Sequence, residues 1–316
     1  MTMANPNTSE AIIGLDVGGT NTNAVAFDNQ LVELADLHVP TVSGSVETVA
    51  DSILETIAAL HDKLDGTPLA SVGIGIPGLV DPSAGIVRHA VNLGIADEPL
   101  EIVNRVKVEF DVPCRIENDV NLAALGAHHV LSGEYTLCDL AYLSIGTGIA
   151  AGVILNGRLH RGGRGVAGEI GHFPLSSDGP LCECGLRGCL EVCASGSAIA
   201  RQWPSTGPTP PIESLIAAAI AGDDEAIETL DRIADHLARA IYLLAVTYDV
   251  DRIVIGGGVA EAGTRLLDEI ENGVRRLENQ SDFVRSLRLT ERLSLKPAGA
   301  VGALGAAVLA RLGGQP

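Results

Sequence analysis

The sequence predicts a two-lobed α/β protein with a cleft between the lobes. Two strand-turn-strand units, each followed by alternating strands and helices, occur in succession, and each has a glycine turn at the tip of its hairpin. A segment rich in Gly, Cys and His interrupts the second unit. The 316 residues suffice for two domains, and 46% hydrophobic with 19% charged residues is typical of a globular chain.

The charge balance excludes several classes of partner. A formal charge of −19, from 21 Lys+Arg against 40 Asp+Glu, opposes binding to nucleic acid and to anionic membranes. The uncharged run 140–157 has transmembrane length, but Ser144, Thr147 and Asn156 within a strand-like pattern favour a buried hairpin. The N-terminal residues lack a secretory signal, so we expect a cytoplasmic protein whose six cysteines are reduced thiols or metal ligands.

In the first half, apolar alternation and turn residues predict a hairpin and a third strand, followed by strand-helix alternation. We expect strands at residues 11–19, 22–28, 31–39, 69–76 and 112–116. We expect helices at residues 46–64, 99–110 and from 119 onward, the first because apolar residues recur at helical spacing.

The second half repeats the hairpin and then departs from it. Strands are expected at residues 140–145, 150–155 and 252–255, and helices at 223–246 and 299–312. Residues 161–195 are predicted to form an inserted functional loop, and residues 204–211 a surface linker.

The first hairpin turn, Asp16-Val17-Gly18-Gly19-Thr20, has the composition of a phosphate-binding turn. Glycine leaves backbone N–H groups accessible to an anion, and Asp16 beside them can organise a hydrated Mg²⁺, which needs few protein carboxylates. An ordinary hairpin turn explains the same residues about as well. The sequence has no G-x-x-x-x-G-K-[ST] segment, which disfavours a P-loop NTPase.

Two further glycine turns follow predicted strands. Gly146-Thr147-Gly148 lies in the equivalent hairpin of the second half, and Gly256-Gly257-Gly258 follows an apolar strand. The three turns together are expected to surround a nucleoside triphosphate. None of them forms G-x-G-x-x-G at the start of a helix after the first strand, so a Rossmann dinucleotide site is not predicted.

Polar residues crowd the junction of a strand and a helix at Glu117-Asn118-Asp119. Asn118 or Asp119 can serve simply as the helix N-cap. Asp119 can also act as the general base that accepts a hydroxyl proton during phosphoryl transfer. The two roles are compatible.

The cysteine-rich segment predicts a metal site. His172, Cys182, Cys184 and Cys189 offer four soft or borderline ligands within eighteen residues, enough for a closed tetrahedral Zn²⁺. Four protein ligands leave no open position, so the zinc is expected to be structural. Buried thiols beside an unrelated histidine are the alternative, and Cys193, outside this spacing, is expected to be a core thiol.

Two carboxylates flank the predicted zinc loop. Glu169 and Glu191 can be aimed by a rigid loop at a polyhydroxyl substrate, although for each taken singly a solvated surface glutamate is the better expectation.

Taken together, these segments resemble the ROK family of sugar kinases and related repressors, within the actin-like ATPase superfamily. The resemblance extends over nearly the whole chain and is most specific at GVAGEIGHFPL, residues 165–175, followed by CECGLRGCLE, residues 182–191. It also includes the Asp16 turn, Ile76-Pro77-Gly78, Asn92-Leu93, Glu117-Asn118-Asp119, residues 143–148 and Asn156-Gly157.

The resemblance implies a fold and a function. The fold would be two actin-like, ribonuclease H-like α/β domains, residues 1–118 with 299–316 and residues 119–298, with the active site in the cleft and a zinc loop at 165–195. The chain would be an ATP- and Mg²⁺-dependent hexose kinase with structural Zn²⁺, acting on glucose. Asp119 would be the catalytic base, and the sugar would be bound by Asn92, Asn118, Glu169, His172 and Glu191. Phosphates and nucleoside would lie on Asp16, Gly18, Gly19, Thr20, Gly146, Thr147, Gly148, Gly256, Gly257 and Gly258, and a homo-oligomer, dimer or tetramer, is expected.

Some residues depart from the family pattern and leave alternatives open. Asn21-Thr22 stands where many members have a basic residue, and Gly94-Ile95 where many glucokinases have an aromatic one. The acceptor can therefore be another sugar, such as N-acetylmannosamine, N-acetylglucosamine, fructose or mannose, and polyphosphate is a possible donor. A sugar-sensing repressor is disfavoured because only about ten residues precede the first strand, and an actin-like scaffold because it has no use for the zinc loop.

Overall fold

The computed structural model describes residues 10–96, 98–134, 139–205 and 207–312. Within these ranges the strands are β1 (Ala11–Val17), β2 (Asn21–Phe27), β3 (Glu33–Pro40), β4 (Leu69–Ile76), β5 (Leu79–Asp81), β6 (Ile86–Arg88), β7 (Cys114–Asn118), β8 (Leu140–Ile145), β9 (Ile149–Leu155), β10 (Arg158–Leu159), β11 (Arg252–Gly256) and β12 (Leu293–Leu295). The α-helices are α1 (Val46–Asp62), α2 (Ile102–Phe110), α3 (Asp119–Glu134), α4 (Leu190–Ala194), α5 (Gly196–Gln202), α6 (Pro211–Ile220), α7 (Asp224–Tyr248), α8 (Thr264–Gln280), α9 (Asp282–Ser286), α10 (Leu289–Arg292) and α11 (Val301–Arg311).

Contacts along the chain divide it into two compact units. The first consists of Met1–Glu134 with Pro297–Pro316, and the second of Tyr135–Lys296. The sequence-based boundary placed the helix that begins at Asp119 in the second domain, whereas its contacts place it in the first. The reason is close packing of α3 on the terminal helix α11, which the hydrophobic pattern of the sequence does not encode.

The first unit is built on a five-stranded sheet with the order β3-β2-β1-β4-β7. The β1, β2 and β3 strands pair antiparallel, and β4 and β7 join β1 in parallel. Strand β4, which lies between β1 and β7, is buried along Ser71 to Ile76, as its apolar sequence predicted. Helix α1 begins at the N-cap Ser45, which accepts a hydrogen bond from the Thr48 amide, and buries the apolar face that its spacing predicted.

Glycine residues allow α11 to lie directly on this sheet and on α3. A methyl group added at Gly14 or Gly73 would lie 2.0 Å or 1.9 Å from a backbone carbonyl oxygen of α11. A methyl group at Gly126 of α3 would lie 1.9 Å from the Val301 carbonyl oxygen, and one at Gly305 would lie 1.8 Å from that of Leu122. No side chain larger than hydrogen fits at these crossings, so glycine is a packing requirement here.

The second unit repeats the topology of the first. Its sheet has the order β10-β9-β8-β11-β12, again with an antiparallel set followed by parallel strands. The suggested internal duplication is therefore visible in the order and direction of the strands. Helix α7, capped by Asp223 on the Ala226 amide, buries one apolar face in the core of this unit.

The structure also contains elements that the sequence analysis did not predict. The β5-β6 hairpin follows Pro77-Gly78, and helices α6 and α8 flank the long helix α7. Helix α8 is strongly amphipathic, and its apolar spacing was readable in principle, since Leu266, Ile270 and Val274 recur every four residues and are buried. None of the helices in the described ranges is long and apolar enough to cross a bilayer.

Candidate active site

The first glycine turn joins β1 to β2 and is held in place by the residue that follows β3. The Gly18 amide donates to the Asn21 carbonyl oxygen at 3.0 Å, which closes the turn. Thr41 braces it twice, because its hydroxyl donates to the Gly18 carbonyl oxygen at 2.8 Å and its amide donates to the Thr20 carbonyl oxygen at 2.9 Å. Gly19 and Thr20 remain exposed, so a rigid turn presents its backbone to solvent.

Asp16 lies at the end of β1, at the base of this turn. Burial of its carboxyl group, and then the charge of Asp119, raise its pKa to about 7. The start of α11 crowds the same carboxyl group, since a methyl group at Gly302 would lie 2.2 Å from Oδ2. Two carboxyl groups that repel each other at a glycine turn form an oxygen donor set that suits a hydrated divalent cation such as Mg²⁺.

Asn118 and Asp119 both accept hydrogen bonds from amides at the start of α3. Helix α3 begins at Asp119, and the Asn118 Oδ1 accepts from the amides of Val120 at 3.0 Å and Asn121 at 3.3 Å, so Asn118 is the N-cap. The Asp119 Oδ1 also accepts from the Val120 amide at 3.0 Å. Its carboxylate is half-buried at the positive end of the helix dipole.

Glu117 stabilises the strand-helix junction through hydrogen bonds. This residue is only 3% exposed, and its Oε1 accepts from the Asn118 amide at 2.9 Å and from the Asn121 side chain at 3.0 Å. The sequence alone predicted no separate role for Glu117. Its hydrogen bonds indicate that it orients the residues on either side of Asp119.

Asn92 is an exposed residue of a short 3-10 helix, Val91–Leu93, that ends at Gly94 with a left-handed φ of 79°. A methyl group added at Gly19 would lie 3.5 Å from the Asn92 Cβ, so this asparagine stands against the first glycine turn. The first unit therefore brings together the turn, Asp16 and Asn92, and Asp119 is close enough to Asp16 to raise its pKa.

In the second unit, the two other glycine turns lie at the ends of neighbouring parallel strands. Gly146-Thr147-Gly148 connects β8 to β9, and β11 pairs with β8 up to Gly256 opposite Ser144. Gly257 has a left-handed φ of 81°, and a methyl group there would lie 2.5 Å from the Ile145 carbonyl oxygen. Turns at the carboxyl ends of adjacent strands are typical places for a nucleotide.

The four predicted metal ligands converge. The ligand atoms of His172, Cys182, Cys184 and Cys189 all lie within 4.8 Å of one another. The Cys182 Sγ is 3.6 Å from the His172 Nδ1, and the Cys184 Sγ is 3.6 Å from the Cys189 Sγ. Ligands about 2.3 Å from a tetrahedral zinc are about 3.7 Å apart, so this donor set fits Zn²⁺ with the Nδ1 atom of His172 toward the metal.

The two carboxylates flanking the cluster have different surroundings. Partial desolvation of the Glu169 carboxyl group raises its pKa, which His172 opposes and the charge of Glu191 reinforces. The residue as a whole is exposed, so solvent screens these interactions. The Glu191 Oε2 accepts from the Ile149 amide at 3.1 Å. Glu191 is therefore tied to the second glycine turn, which sequence spacing did not indicate.

Two supporting residues of the candidate site escaped the sequence analysis. Thr41 reaches the first turn only through the pairing of β3 with β2, and Gly302 reaches Asp16 only through the return of α11. Sequence signals for them were weak: a threonine after a strand, and a glycine in a run of small residues.

Comparison with known proteins identifies the family. The sequence profile described as the ROK family matches residues 12–311. A glucokinase of Halalkalibacterium halodurans is 35% identical over 82% of this chain and 83% of its own length, and one of Thermotoga maritima is 32% identical over 96% and 98%. The crystal structure of a ROK family glucokinase from Streptomyces griseus in complex with glucose and AMPPNP has a TM-score of 0.76 and 30% identity, covering 96% of this chain and 100% of that one.

The matched residues span both units and include the first glycine turn, the Asp119 junction and the four ligands of the cysteine cluster. The resemblance that the motifs indicated is thereby confirmed, and the chain belongs to the ROK family.

Proposed function

We propose that this protein is an ATP-dependent sugar kinase that transfers the γ-phosphoryl group to a hexose hydroxyl, with glucose as the preferred acceptor. The observation that carries the proposal is the pair of carboxyl groups at the first glycine turn, Asp16 at its base and Asp119 at the start of α3. The glucokinase relatives and the relative solved with glucose and AMPPNP support the donor and the acceptor.

We assign the chemistry to Asp119. It accepts the proton of the sugar hydroxyl as that oxygen attacks the γ-phosphorus, and the bond from phosphorus to the bridging oxygen of ADP breaks. The capping bonds of Asn118 and the buried Glu117 keep the Asp119 backbone in one orientation, which a general base requires. Asp16 is the residue that would hold Mg²⁺, and the bound metal would neutralise charge at the phosphates.

The sugar- and nucleotide-binding roles are assigned from the hydrogen-bonding groups of each residue. Sugar hydroxyls are proposed to bind Asn92, Glu169, His172 and Glu191, and also the amide nitrogen of Asn118, since its Oδ1 caps α3. With His172 Nδ1 toward zinc, its Nε2 is the atom for a hydroxyl. The backbone of the three glycine turns is proposed to bind the nucleotide.

Zinc is proposed to be structural. Three cysteines and one histidine close the coordination sphere, and the metal would hold the segment that carries Glu169 and Glu191 in shape. Thiolate ligands fit a reducing compartment, so we propose a cytoplasmic location. A homo-oligomer is also proposed, and analytical ultracentrifugation measures its size.

A second candidate acceptor is an N-acetylated hexosamine. An N-acetylglucosamine repressor of Escherichia coli is 29% identical over 82% of this chain and 66% of its own length, so relatives with a different sugar in their name match nearly as well. The carboxylate, amide and imidazole groups above recognise hydroxyls that all these sugars share. A substrate panel therefore decides the acceptor.

The test is ADP release with MgATP across glucose, mannose, N-acetylglucosamine, N-acetylmannosamine and fructose, with the Asp119→Asn protein as control. We expect glucose to give the highest kcat/KM. Because the amide occupies the same volume but cannot accept the proton, Asp119→Asn should lower kcat about a hundredfold or more and leave the glucose Kd nearly unchanged. Near-normal turnover of that variant would remove Asp119 from its role, and absence of ADP release with every sugar would refute the kinase.

A further inference from the structure

One short segment holds the second glycine turn at both of its ends. At the first end, the Gly196 amide donates to the Gly146 carbonyl oxygen at 2.7 Å. At the second end, the Glu191 Oε2 accepts from the Ile149 amide at 3.1 Å. Glu191 belongs to α4 and Gly196 is the first residue of α5, so one short run of chain holds both ends of the turn.

The carboxylate of Glu191 lies in close contact with Gly148 of this turn. A methyl group added at Gly148 would lie 2.3 Å from the Glu191 Oε2 and 3.2 Å from its Cδ, and the third nearby atom also belongs to Glu191. Gly148 is outside the left-handed region, so its backbone conformation is open to other residues. The close approach of Glu191 is thus the constraint that the structure places on this position.

The position of Glu191 is in turn set by the zinc loop. Cys189 is the N-cap residue of α4, and its Sγ lies 3.4 Å from the His172 carbonyl oxygen. The preceding part of the loop packs on the same strand, since a methyl group at Gly171 would lie 2.0 Å from the Ile149 carbonyl oxygen and 3.5 Å from the Glu191 Cβ. The loop, the carboxylate and the turn therefore form one continuous set of contacts.

We infer that Glu191 is a positioning residue for the Gly146–Gly148 turn, through which the zinc loop sets the affinity for nucleotide as well as for sugar. The inference rests on the proposed function in taking this turn as part of the nucleotide site. Backbone N–H groups bind phosphate well only when their directions are set in advance, and the Glu191 carboxylate sets the direction of the amide that ends the turn. Glu191, one of the residues proposed to bind sugar, thereby affects the affinity for nucleotide without contacting the nucleotide.

The test measures nucleotide affinity with no sugar present. The Kd of MgAMPPNP is determined by calorimetry for the wild type and for Glu191→Ala, Glu191→Gln and Glu183→Gln. Glu191→Ala removes the acceptor, and we expect its Kd to rise about fivefold or more. Glu191→Gln keeps a carbonyl acceptor and should stay within about threefold of wild type. Glu183→Gln is the matched control, because Glu183 is an exposed glutamate of the same loop to which no binding role is assigned, and its nucleotide Kd should not change.

A second variant guards against a folding defect in the first. Gly148→Ala leaves Glu191 in place but displaces its carboxylate, so it should weaken MgAMPPNP binding as Glu191→Ala does. In the double variant the two losses should not add, because both act on one contact. Zinc content and circular dichroism are measured for every variant.

The outcomes are distinguishable from those of the proposed function. If the wild type itself does not bind MgAMPPNP, the nucleotide assignment fails. If the wild type binds but Glu191→Ala and Gly148→Ala bind equally tightly, the kinase proposal stands and the positioning role is overturned.

Discussion

The buried carboxyl group of Asp16 should make the protein less stable as the pH rises, and Asp16→Asn should remove that dependence. Burial and Asp119 raise the pKa of Asp16 from 3.8 to about 7. Between these two values the folded protein keeps a proton that the unfolded chain has released. Its free energy of unfolding therefore falls across this window as the pH increases.

The magnitude follows from the shift. About three pKa units at 1.36 kcal/mol each correspond to about 4 kcal/mol for complete burial. The Asp16 side chain keeps partial exposure, and solvent screening reduces this effect, so we expect about 2–4 kcal/mol. An asparagine is neutral throughout, so the stability of Asp16→Asn relative to wild type should grow by that amount from pH 4 to pH 8.

The assay is urea unfolding of both proteins at half-unit pH steps, without Mg²⁺ or nucleotide. Other acidic groups titrate in both proteins and cancel in the difference. Asp119→Asn is the matched control, since it removes the charge that repels Asp16 but leaves Asp16 buried. Its plot of unfolding free energy against pH should lie between those of the wild type and Asp16→Asn. Added Mg²⁺ should stabilise the wild type at pH 8 but not Asp16→Asn. Parallel curves for wild type and Asp16→Asn from pH 4 to pH 8 would refute the reasoning.

Two further predictions concern the zinc cluster and the packing of the terminal helix. Cys184→Ser should lose its zinc and bind glucose more weakly. Its Tm should fall by at least about 5 °C, which corresponds to about 2 kcal/mol in a domain of this size. Cys193→Ser is the control and should retain one zinc per chain by atomic absorption. Retention of zinc by Cys184→Ser would contradict the ligand set. Gly305→Ala places a methyl group 1.8 Å from the Leu122 carbonyl oxygen and should lower the free energy of unfolding in urea by about 3 kcal/mol. Gly133→Ala meets no atom of the described residues within 4 Å and should raise that free energy by about 0.5–1 kcal/mol. Equal stability of the two alanine variants would count against the close packing of α3 on α11.

Most of the fold was predictable because its elements carry strong periodic patterns. The hairpin of β1 and β2, the buried strand β4 and the long helix α7 lie within a few residues of their expected bounds. Apolar periodicity is a local property of the chain, so it can be read from the sequence without knowledge of the tertiary structure. The short β5-β6 hairpin was missed because three-residue strands are too brief to show a period.

The metal cluster was also predictable, since its ligands are close in sequence and cysteine is rare enough for its spacing to be informative. The assignment of the α3 helix was not. Its own pattern is weakly amphipathic, and it belongs to the first unit because Gly126 and Gly305 allow the α3 and α11 backbones to touch across more than 170 residues of chain.

The residue types and spacings alone therefore indicate the α/β class, the repeated hairpin, the cluster of His172 with three cysteines and the family resemblance, because each depends on residues that are close in sequence. Only the tertiary structure shows that Thr41 donates to the Gly18 carbonyl oxygen of the first turn and that Glu191 accepts from the Ile149 amide. It also shows that Gly302 lies close to the Asp16 carboxyl group. Each of these contacts joins segments whose approach depends on strand register or helix packing. Hydrogen bonds and desolvation act over a few ångströms, so their consequences for pKa and orientation appear only once the chain has folded.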